Sequence, residues 1–109
     1  MARSADFLQG TLDLLVLRTL ASGPLHGWGV AKRIEATSGN VLQVTQGALY
    51  PALHRLEQQG WIKSQWRPTP TGRDAKFYAL TRAGQGQLEA ELEHWRRLSG
   101  AVGLVLKLA

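Results

Sequence analysis

The feature that most constrains the fold of this chain is a change of hydrophobic period at Gly60. Before Gly60, four apolar residues recur at the i, i+3, i+4, i+7 spacing that is typical of one helical face: Leu49, Ala52, Leu53 and Leu56. From Ile62 onward, apolar and polar residues alternate with the period of two that indicates a half-buried strand. Glycine commonly follows the last turn of a helix. The sequence therefore predicts a helix over residues 45–59 and a strand directly after it.

The opposite face of this predicted helix is polar. It carries five side chains that hydrogen-bond or bear charge: Gln46, Tyr50, His54, Arg55 and Gln58. One interpretation is the solvated face of an ordinary amphipathic helix. The other is a recognition helix that presents these groups to nucleic acid. Only Arg55 is permanently cationic, so this helix alone does not distinguish the two interpretations, and the rest of the sequence is needed.

Positive charge is concentrated on this helix and the residues that follow it. The chain has a formal net charge of +5. Residues 45–82 hold six cationic side chains against two acidic ones: Arg55, Lys63, Arg67, Arg73, Lys76 and Arg82 against Glu57 and Asp74. A local basic excess in a small domain is typical of proteins that bind polyanions. The charge therefore favours the nucleic-acid interpretation, although many small proteins are basic without such a partner.

The remaining patterns predict the other elements. An apolar run after Thr11, the predicted N-cap, indicates a buried first helix that ends at residues 22–24. A second helix is predicted over residues 28–37, and residues 41–44 form either a minimal strand or an apolar linker. Two β-prone runs around the turn-rich residues 68–72 indicate a hairpin with a basic tip.

This order of elements predicts the fold class. Three helices followed by a two-stranded hairpin make a winged helix-turn-helix, in which the second and third helices form the helix-turn-helix pair. We expect a mainly α protein of the α+β class, with the winged helix-turn-helix domain over residues 1–80. A C-terminal dimerisation helix over residues 81–109 follows, with Thr81 as its predicted N-cap.

The C-terminal helix carries a heptad-like seam. Its members follow one another at spacings of 4, 3, 4, 3 and 4 residues: Leu88, Leu92, Trp95, Ser99, Val102 and Leu106. Such a long seam has little domain left to pack against, so the sequence predicts a partner helix and a homodimer. Gly100 and Gly103 each cost roughly 1 kcal/mol in a helix interior. They either fray the helix end or allow close approach of another helix.

Catalytic and metal-binding patterns are missing from the sequence. His26, His54 and His94 fall on three different elements, and the chain has no cysteine, so no pair of residues has metal-ligand spacing. No serine lies beside a plausible base and a group to orient that base. We therefore expect no enzyme activity, no metal and no cofactor.

Targeting signals are equally missing. The longest apolar runs, residues 14–17 and 101–106, are far shorter than the roughly 20 residues of a membrane span. Residues 1–6 do not begin a signal peptide, and the lack of cysteine fits a reducing compartment. The sequence therefore predicts a cytoplasmic protein without membrane contact.

Four segments of the chain resemble the PadR family of transcriptional regulators. They are GTLDLLVL from Gly10, PLHGWGVA from Pro24, GALYPALHRLEQQGWI from Gly47 and RDAKFYALTRAG from Arg73. The last two segments at this separation are the specific part of the resemblance, which spans residues 8–98. Trp28 stands where tyrosine is common in the family, and it fills the same packing role. The single C-terminal helix resembles the small members, since larger members carry a further helical domain.

The resemblance implies a dimeric winged-helix repressor that binds a pseudo-palindromic DNA operator, with half-sites about one helical turn apart or a multiple of that. The residues that would begin the recognition helix are Thr45, Gln46, Gly47, Tyr50 and Pro51. Tyr50 and His54 would reach phosphates or base edges, and Arg55 would supply the fixed charge of that helix. The residues that would lie on or beside a basic wing over residues 68–76 are Lys63, Arg73 and Lys76.

Two alternatives stay open at the level of sequence. Some small members of the family bind flat aromatic compounds at the dimer interface, which makes Trp95 the candidate contact for a small aromatic effector. A tryptophan on a seam is otherwise part of the dimer core. A winged helix that contacts only proteins is the alternative to DNA binding.

Overall fold

The computed structural model describes residues 9–107, and it confirms the mainly α, winged-helix architecture. The elements are α1 (Gln9–Leu20), β1 (Leu25–His26), α2 (Gly27–Thr37), α3 (Gln46–Gln58), β2 (Ile62–Pro68), β3 (Asp74–Leu80) and α4 (Arg82–Leu106). The expectation about a signal peptide at residues 1–6 and the last two positions of the predicted C-terminal helix fall outside the described residues. None of the helices within residues 9–107 has the length and apolar character needed to cross a membrane.

Helix α1 lies at the centre of the fold. Its apolar residues are buried on more than one side, as the sequence predicts: Leu12, Leu14, Val16, Leu17 and Leu20. It packs against α2, α3 and α4. The prediction of Thr11 as N-cap is wrong, because Gln9 and Gly10 already belong to the helix. Helix α1 therefore joins the predicted recognition helix to the C-terminal helix.

The three strands form one antiparallel sheet in the order β1-β3-β2. The predicted hairpin is confirmed, since residues 62–68 pair with residues 74–80. The third strand is an addition, because Leu25 and His26 pair with the other edge of β3. Two residues are too few to show a period in the sequence. Residues 41–44 form no strand and serve as the linker between α2 and α3.

Local signals set the ends of α3 and α4, and Gly60 after α3 and Thr81 before α4 lie where the sequence predicts them. The Thr45 side chain accepts a hydrogen bond from the Ala48 amide at 3.2 Å. Thr81 does the same for the Gly84 amide at 3.0 Å. Gly60 follows α3 with φ of +78°, a left-handed conformation that glycine adopts without steric cost. Each cap satisfies an amide that has no partner inside its helix.

Helix α4 begins in close contact with the loop after α3. A Cβ atom at Gly84 would overlap the carbonyl oxygen of Trp61 and press on the Leu80 side chain. Further along, Leu88 is only 2% exposed, and Leu92 packs partly buried against the core. The N-terminal half of α4 is thus part of the single-chain core. Leu88 contributes to that core, so an exposed seam on α4 can begin only beyond it.

Candidate nucleic-acid interface

Helix α3 has the two faces that its sequence predicts. Its buried face consists of the predicted residues Leu49, Ala52, Leu53 and Leu56, none more than 1% exposed. Its exposed side carries five of the predicted DNA-binding residues: Gln46, Gly47, Tyr50, Pro51 and His54. The apolar face fixes the helix on the core and leaves this polar surface, rich in hydrogen-bonding groups, in solvent.

Tyr50 is held in place by the start of α2. A Cβ atom at Gly27 would lie 3.1 Å from Tyr50 Cε1 and 3.5 Å from its hydroxyl oxygen, so the ring rests on the Gly27 backbone. The side chain is nevertheless 43% exposed. The lack of a side chain at Gly27 therefore lets α2 and α3 approach and leaves room for the Tyr50 ring against the start of α2.

Arg55 is engaged within the chain. Its Nη2 donates a hydrogen bond to Asp13 Oδ1 on α1 at 2.7 Å. The Gln9 side-chain amide is oriented with its oxygen towards Arg55, since only this orientation places the oxygen next to hydrogen-bond donors. The oxygen accepts from Arg55 Nε at 2.7 Å and from Nη1 at 3.2 Å. The guanidinium is about one-third exposed. Its orientation towards α1 was not evident from the sequence, because Asp13 lies 42 residues earlier in the chain.

Glu57 connects α3 to both strands of the hairpin. Its Oε2 accepts a hydrogen bond from the Ser64 hydroxyl at 2.5 Å on β2. Its Oε1 lies 3.9 Å from Lys76 Nζ on β3. Burial raises the pKa of the neighbouring Tyr78 phenol, and the proximity of Glu57 and Tyr50 raises it further. This cluster fixes the hairpin relative to α3.

The strand register places the two predicted wing lysines on opposite faces of the hairpin. Lys63 pairs with Ala79, whereas Lys76 pairs with Trp66, and successive residues of a strand point to alternate faces. The face of Lys76 is the one that contacts α3 through Glu57. Lys63 lies on the outer face and is exposed. The two ammonium groups therefore belong to different surfaces.

Trp66 is a surface feature that the sequence interpretation missed. Its ring is 65% exposed and lies on the same face of the hairpin as Lys76. The alternation from Ile62 places Trp66 on the α3 side, but the sequence gives no sign that the core ends before it. Arg67, on the outer face, lies with its guanidinium carbon 5.1 Å from the centre of the Phe77 ring.

The tip of the hairpin is an ordered turn. The Thr69 amide and hydroxyl both donate to the Arg73 carbonyl, at 2.9 and 2.6 Å. Gly72 turns the chain with φ of +89°. The Arg73 side chain is exposed, as expected for a basic tip. Within residues 9–107, neither Lys63 nor Arg67 nor Arg73 forms an ion pair, so these charges face solvent.

The C-terminal half of α4 exposes a broad apolar surface. Six large apolar side chains are between 44% and 77% exposed: Trp95, Leu98, Val102, Leu104, Val105 and Leu106. Ser99, the polar member of the predicted seam, lies among them and is also exposed. Trp95 also lines a groove of about 260 Å³ between α1 and α4. Large exposed apolar side chains concentrated on one segment commonly mark an interaction site.

Comparison with known proteins gives the family. The family model described as the transcriptional regulator PadR-like family matches residues 16–90. A PadR family transcriptional regulator from Eggerthella lenta is 32% identical, with a TM-score of 0.78 over 93% of this chain and 86% of that chain. The transcriptional regulator Rv3488 of Mycobacterium tuberculosis is 32% identical over 83 residues, which is 76% of this chain and 74% of that protein.

The fold is shared more widely. A transcriptional regulator from Clostridium thermocellum, 24% identical, superposes with a TM-score of 0.83 over 91% of this chain and 96% of that chain. These similar proteins are regulators of transcription and not enzymes. The chain belongs to the PadR-like family of DNA-binding transcriptional regulators.

Proposed function

We propose that this protein is a homodimeric repressor that binds a pseudo-palindromic operator through α3 and the hairpin. In this proposal residues 1–80 are the DNA-binding domain and residues 81–109 the dimerisation helix. The observation that supports it most is the Glu57 cluster, in which one carboxylate contacts β2 and β3 from α3. Because the hairpin is held beside α3, the polar helix face and the wing can act on one stretch of duplex.

Helix α3 is proposed to enter the major groove with its N-terminal turns nearest the bases. Gln46 offers an amide that can both donate and accept, as adenine edges require. Tyr50 and His54 would contact phosphates or base edges, while Gly47 and Pro51 keep the helix surface low enough for close approach. Thr45 already caps α3 through its hydroxyl, so its contribution is to set the position of the first turn.

The wing is proposed to supply most of the phosphate contacts. Arg73 at the tip and Lys63 on the outer face are exposed and pair with no acidic group within residues 9–107, and Lys76 borders α3. Phosphate contacts of this kind fix orientation and provide most of the affinity. We also assign Trp66, on the α3 side of the hairpin, to an apolar contact with DNA, since an aromatic ring can pack on sugars or enter the minor groove.

Arg55 is assigned a supporting role. Its bonds to α1 occupy the guanidinium, so we assign it to holding α3 on the core, with any phosphate contact secondary. This changes the expectation that Arg55 is the fixed charge of the DNA-facing side. The wing then carries the permanent positive charge of the interface.

Dimerisation is proposed to cover the exposed apolar surface of α4. Two copies of the stripe from Leu92 to Leu106 form a self-complementary, two-fold interface of the kind that most homodimers use. Trp95 lies where the stripe meets α1. The groove beside it is the place for a small aromatic effector, if the ring is not fully covered by the partner helix.

A fluorescence-anisotropy titration tests the DNA proposal. The labelled duplex comes from the promoter region of the protein's own gene, and a scrambled duplex of equal length is the competitor. We expect preference for the promoter duplex and a log–log salt slope of about −0.9 for each neutralised phosphate. The double variant Arg73→Ala/Lys76→Ala should reduce affinity at least tenfold and lower the slope, whereas Arg97→Ala on α4 should not. Salt-insensitive binding, or no loss in the double variant, favours a winged helix that contacts only proteins.

A further inference from the structure

A cleft between α1 and α2 lies apart from α3, the hairpin and the exposed half of α4. Its volume is about 370 Å³, which falls in the range of roughly 300–1,000 Å³ that is usual for small-molecule sites. Leu15 of α1, Ile34 of α2 and Leu42 of the following linker form its apolar floor. An apolar floor of this size suits the hydrocarbon or ring portion of a small ligand.

Two guanidinium groups stand at the walls of this cleft. Arg18 comes from α1 and Arg33 from α2, and both side chains are exposed. Neither forms an ion pair with any other described residue. Arg18 makes one long hydrogen bond, 3.5 Å, to the Ser22 hydroxyl, and the nearby Glu35 lies 3.9 Å from Lys32. Two guanidiniums that have no acidic partner among residues 9–107 and lie beside an apolar floor are complementary to a carboxylate on an apolar body.

The floor of the cleft is connected to the start of α3. The Leu42 amide donates to the Ser38 hydroxyl at 3.0 Å. Two residues later, the amide of the buried Val44 donates to Glu35 Oε2 at 3.0 Å. The next residue, Thr45, is the N-cap of α3. A ligand that contacts Leu42 therefore touches the segment that positions the first turn of α3.

We propose that the α1–α2 cleft binds an amphipathic anion, a small molecule with one carboxylate and an apolar body, and that Leu42 transmits its binding to the linker before α3. The carboxylate lies between Arg18 and Arg33, and the apolar portion covers Leu15, Ile34 and Leu42. The binding itself is independent of the proposed DNA function. Only a consequence for operator affinity rests on that function.

The test is an NMR titration of the DNA-free protein with octanoate, using octanol as the uncharged probe of equal chain length. We expect octanoate to shift the amide signals of Leu42 and Val44, and octanol to bind at least fivefold more weakly. Arg18→Gln and Arg33→Gln should each weaken octanoate binding about fivefold, because each removes a charge-assisted hydrogen bond at a partly solvated site. Arg97→Gln, a surface arginine that does not line the cleft, is the matched control. Equal binding of octanol, or unchanged affinity in both cleft variants, overturns the proposal.

A second variant separates a ligand site from a surface covered by another copy of the chain. Thr37 lies exposed on the rim at the end of α2, so Thr37→Trp fills the cleft without disturbing the core. We expect this variant to lose octanoate binding and to keep the wild-type sedimentation coefficient. A change in its oligomeric state shows that the cleft is an interface between copies, and this result overturns the proposal. Because the titration contains no DNA, its outcome is independent of whether the operator proposal holds.

Discussion

Arg55 Nη2 on α3 lies 2.7 Å from Asp13 Oδ1 on α1. The guanidinium that the sequence places on the polar side of α3 is thus bonded to the central helix. Since α1 also packs against α4, this ion pair belongs to the contacts that connect the proposed DNA-binding helix to the proposed dimerisation helix.

Removal of Asp13 should destabilise the fold. Asp13→Ala leaves the partly buried Arg55 without its carboxylate, and we expect a loss of about 1 kcal/mol in the free energy of unfolding, discounted for solvent exposure. Urea denaturation followed by circular dichroism measures it. Lys32→Ala, which removes the 3.9 Å ion pair between the exposed Lys32 and Glu35, is the control and should change stability by less than about 0.5 kcal/mol. Equal effects of the two substitutions contradict a structural role for the Asp13–Arg55 pair.

Two glycines of α4 should respond to alanine in opposite directions. At Gly84 a methyl group collides with the Trp61 carbonyl oxygen, so Gly84→Ala should cost about 3 kcal/mol, as overpacking does. At Gly86 nothing lies within 4 Å, so Gly86→Ala should stabilise the helix by up to about 1 kcal/mol. Thermal unfolding of both variants is the measurement. A Gly84→Ala protein as stable as wild type refutes the close contact between α4 and the loop.

Tyr78 should titrate above the ordinary value of tyrosine. Burial, and then the proximity of Glu57 and Tyr50, raise the pKa of its phenol above 10.0. The chain has two tyrosines, so Tyr50→Phe leaves Tyr78 as the only tyrosine to follow by ultraviolet absorbance. We expect a midpoint above 10.0 that moves down when Glu57→Gln is added. A midpoint at 10.0 or below contradicts the burial of the Glu57 cluster.

The raised pKa of Tyr78 also determines the direction in which the free energy of unfolding changes with pH. An acid whose pKa is higher in the folded state stabilises the fold fully at pH values below its unfolded-state pKa, here near 10.0. This stabilisation is lost as the pH rises through the folded-state pKa. The unfolding free energy should therefore fall more steeply above about pH 10 in the wild type than in Tyr78→Phe.

Trp95 should be a main contributor to dimerisation. The ring is 44% exposed on the single chain, and a tryptophan central to an interface commonly contributes 2 kcal/mol or more. Trp95→Ala should therefore weaken the dimer at least tenfold in sedimentation-velocity experiments over a concentration series. Arg96→Ala, one position off the seam, should leave the dimer unchanged. If both variants sediment as the wild type does, Trp95 lies outside the interface.

Periodic patterns predicted most of the fold because they depend on residues close in the chain. The buried face of α3, the hairpin and the cap Thr81 all follow from local spacing, and the structure confirms them. Strand β1 did not follow, because it exists only through its pairing with β3. The role of His26 was likewise not predicted: its Nδ1 accepts from the Gly29 amide at 2.9 Å and caps α2.

The site was less predictable than the fold because its contacts join residues that lie far apart in the chain. The sequence gives the chemical types at the interface but not their partners, and Arg55, Glu57 and Lys76 each acquire one only after folding. The opposite orientations of Lys63 and Lys76 follow from the pairing register of β2 and β3, which the sequence alone does not give. Trp66 lies on the α3-facing side of the hairpin beyond the end of the core, and the pattern alone does not show where the core ends.

The central claim is that two copies of α3 bind one operator as a two-fold dimer. Hydroxyl-radical footprinting on the promoter region of the protein's own gene tests it most directly. We predict two equivalent protected patches whose centres are about one helical turn, or a multiple of it, apart. A Tyr50→Ala/His54→Ala variant should lose both patches together while remaining folded and dimeric. A single protected patch, or protection that the double variant retains, would contradict the account.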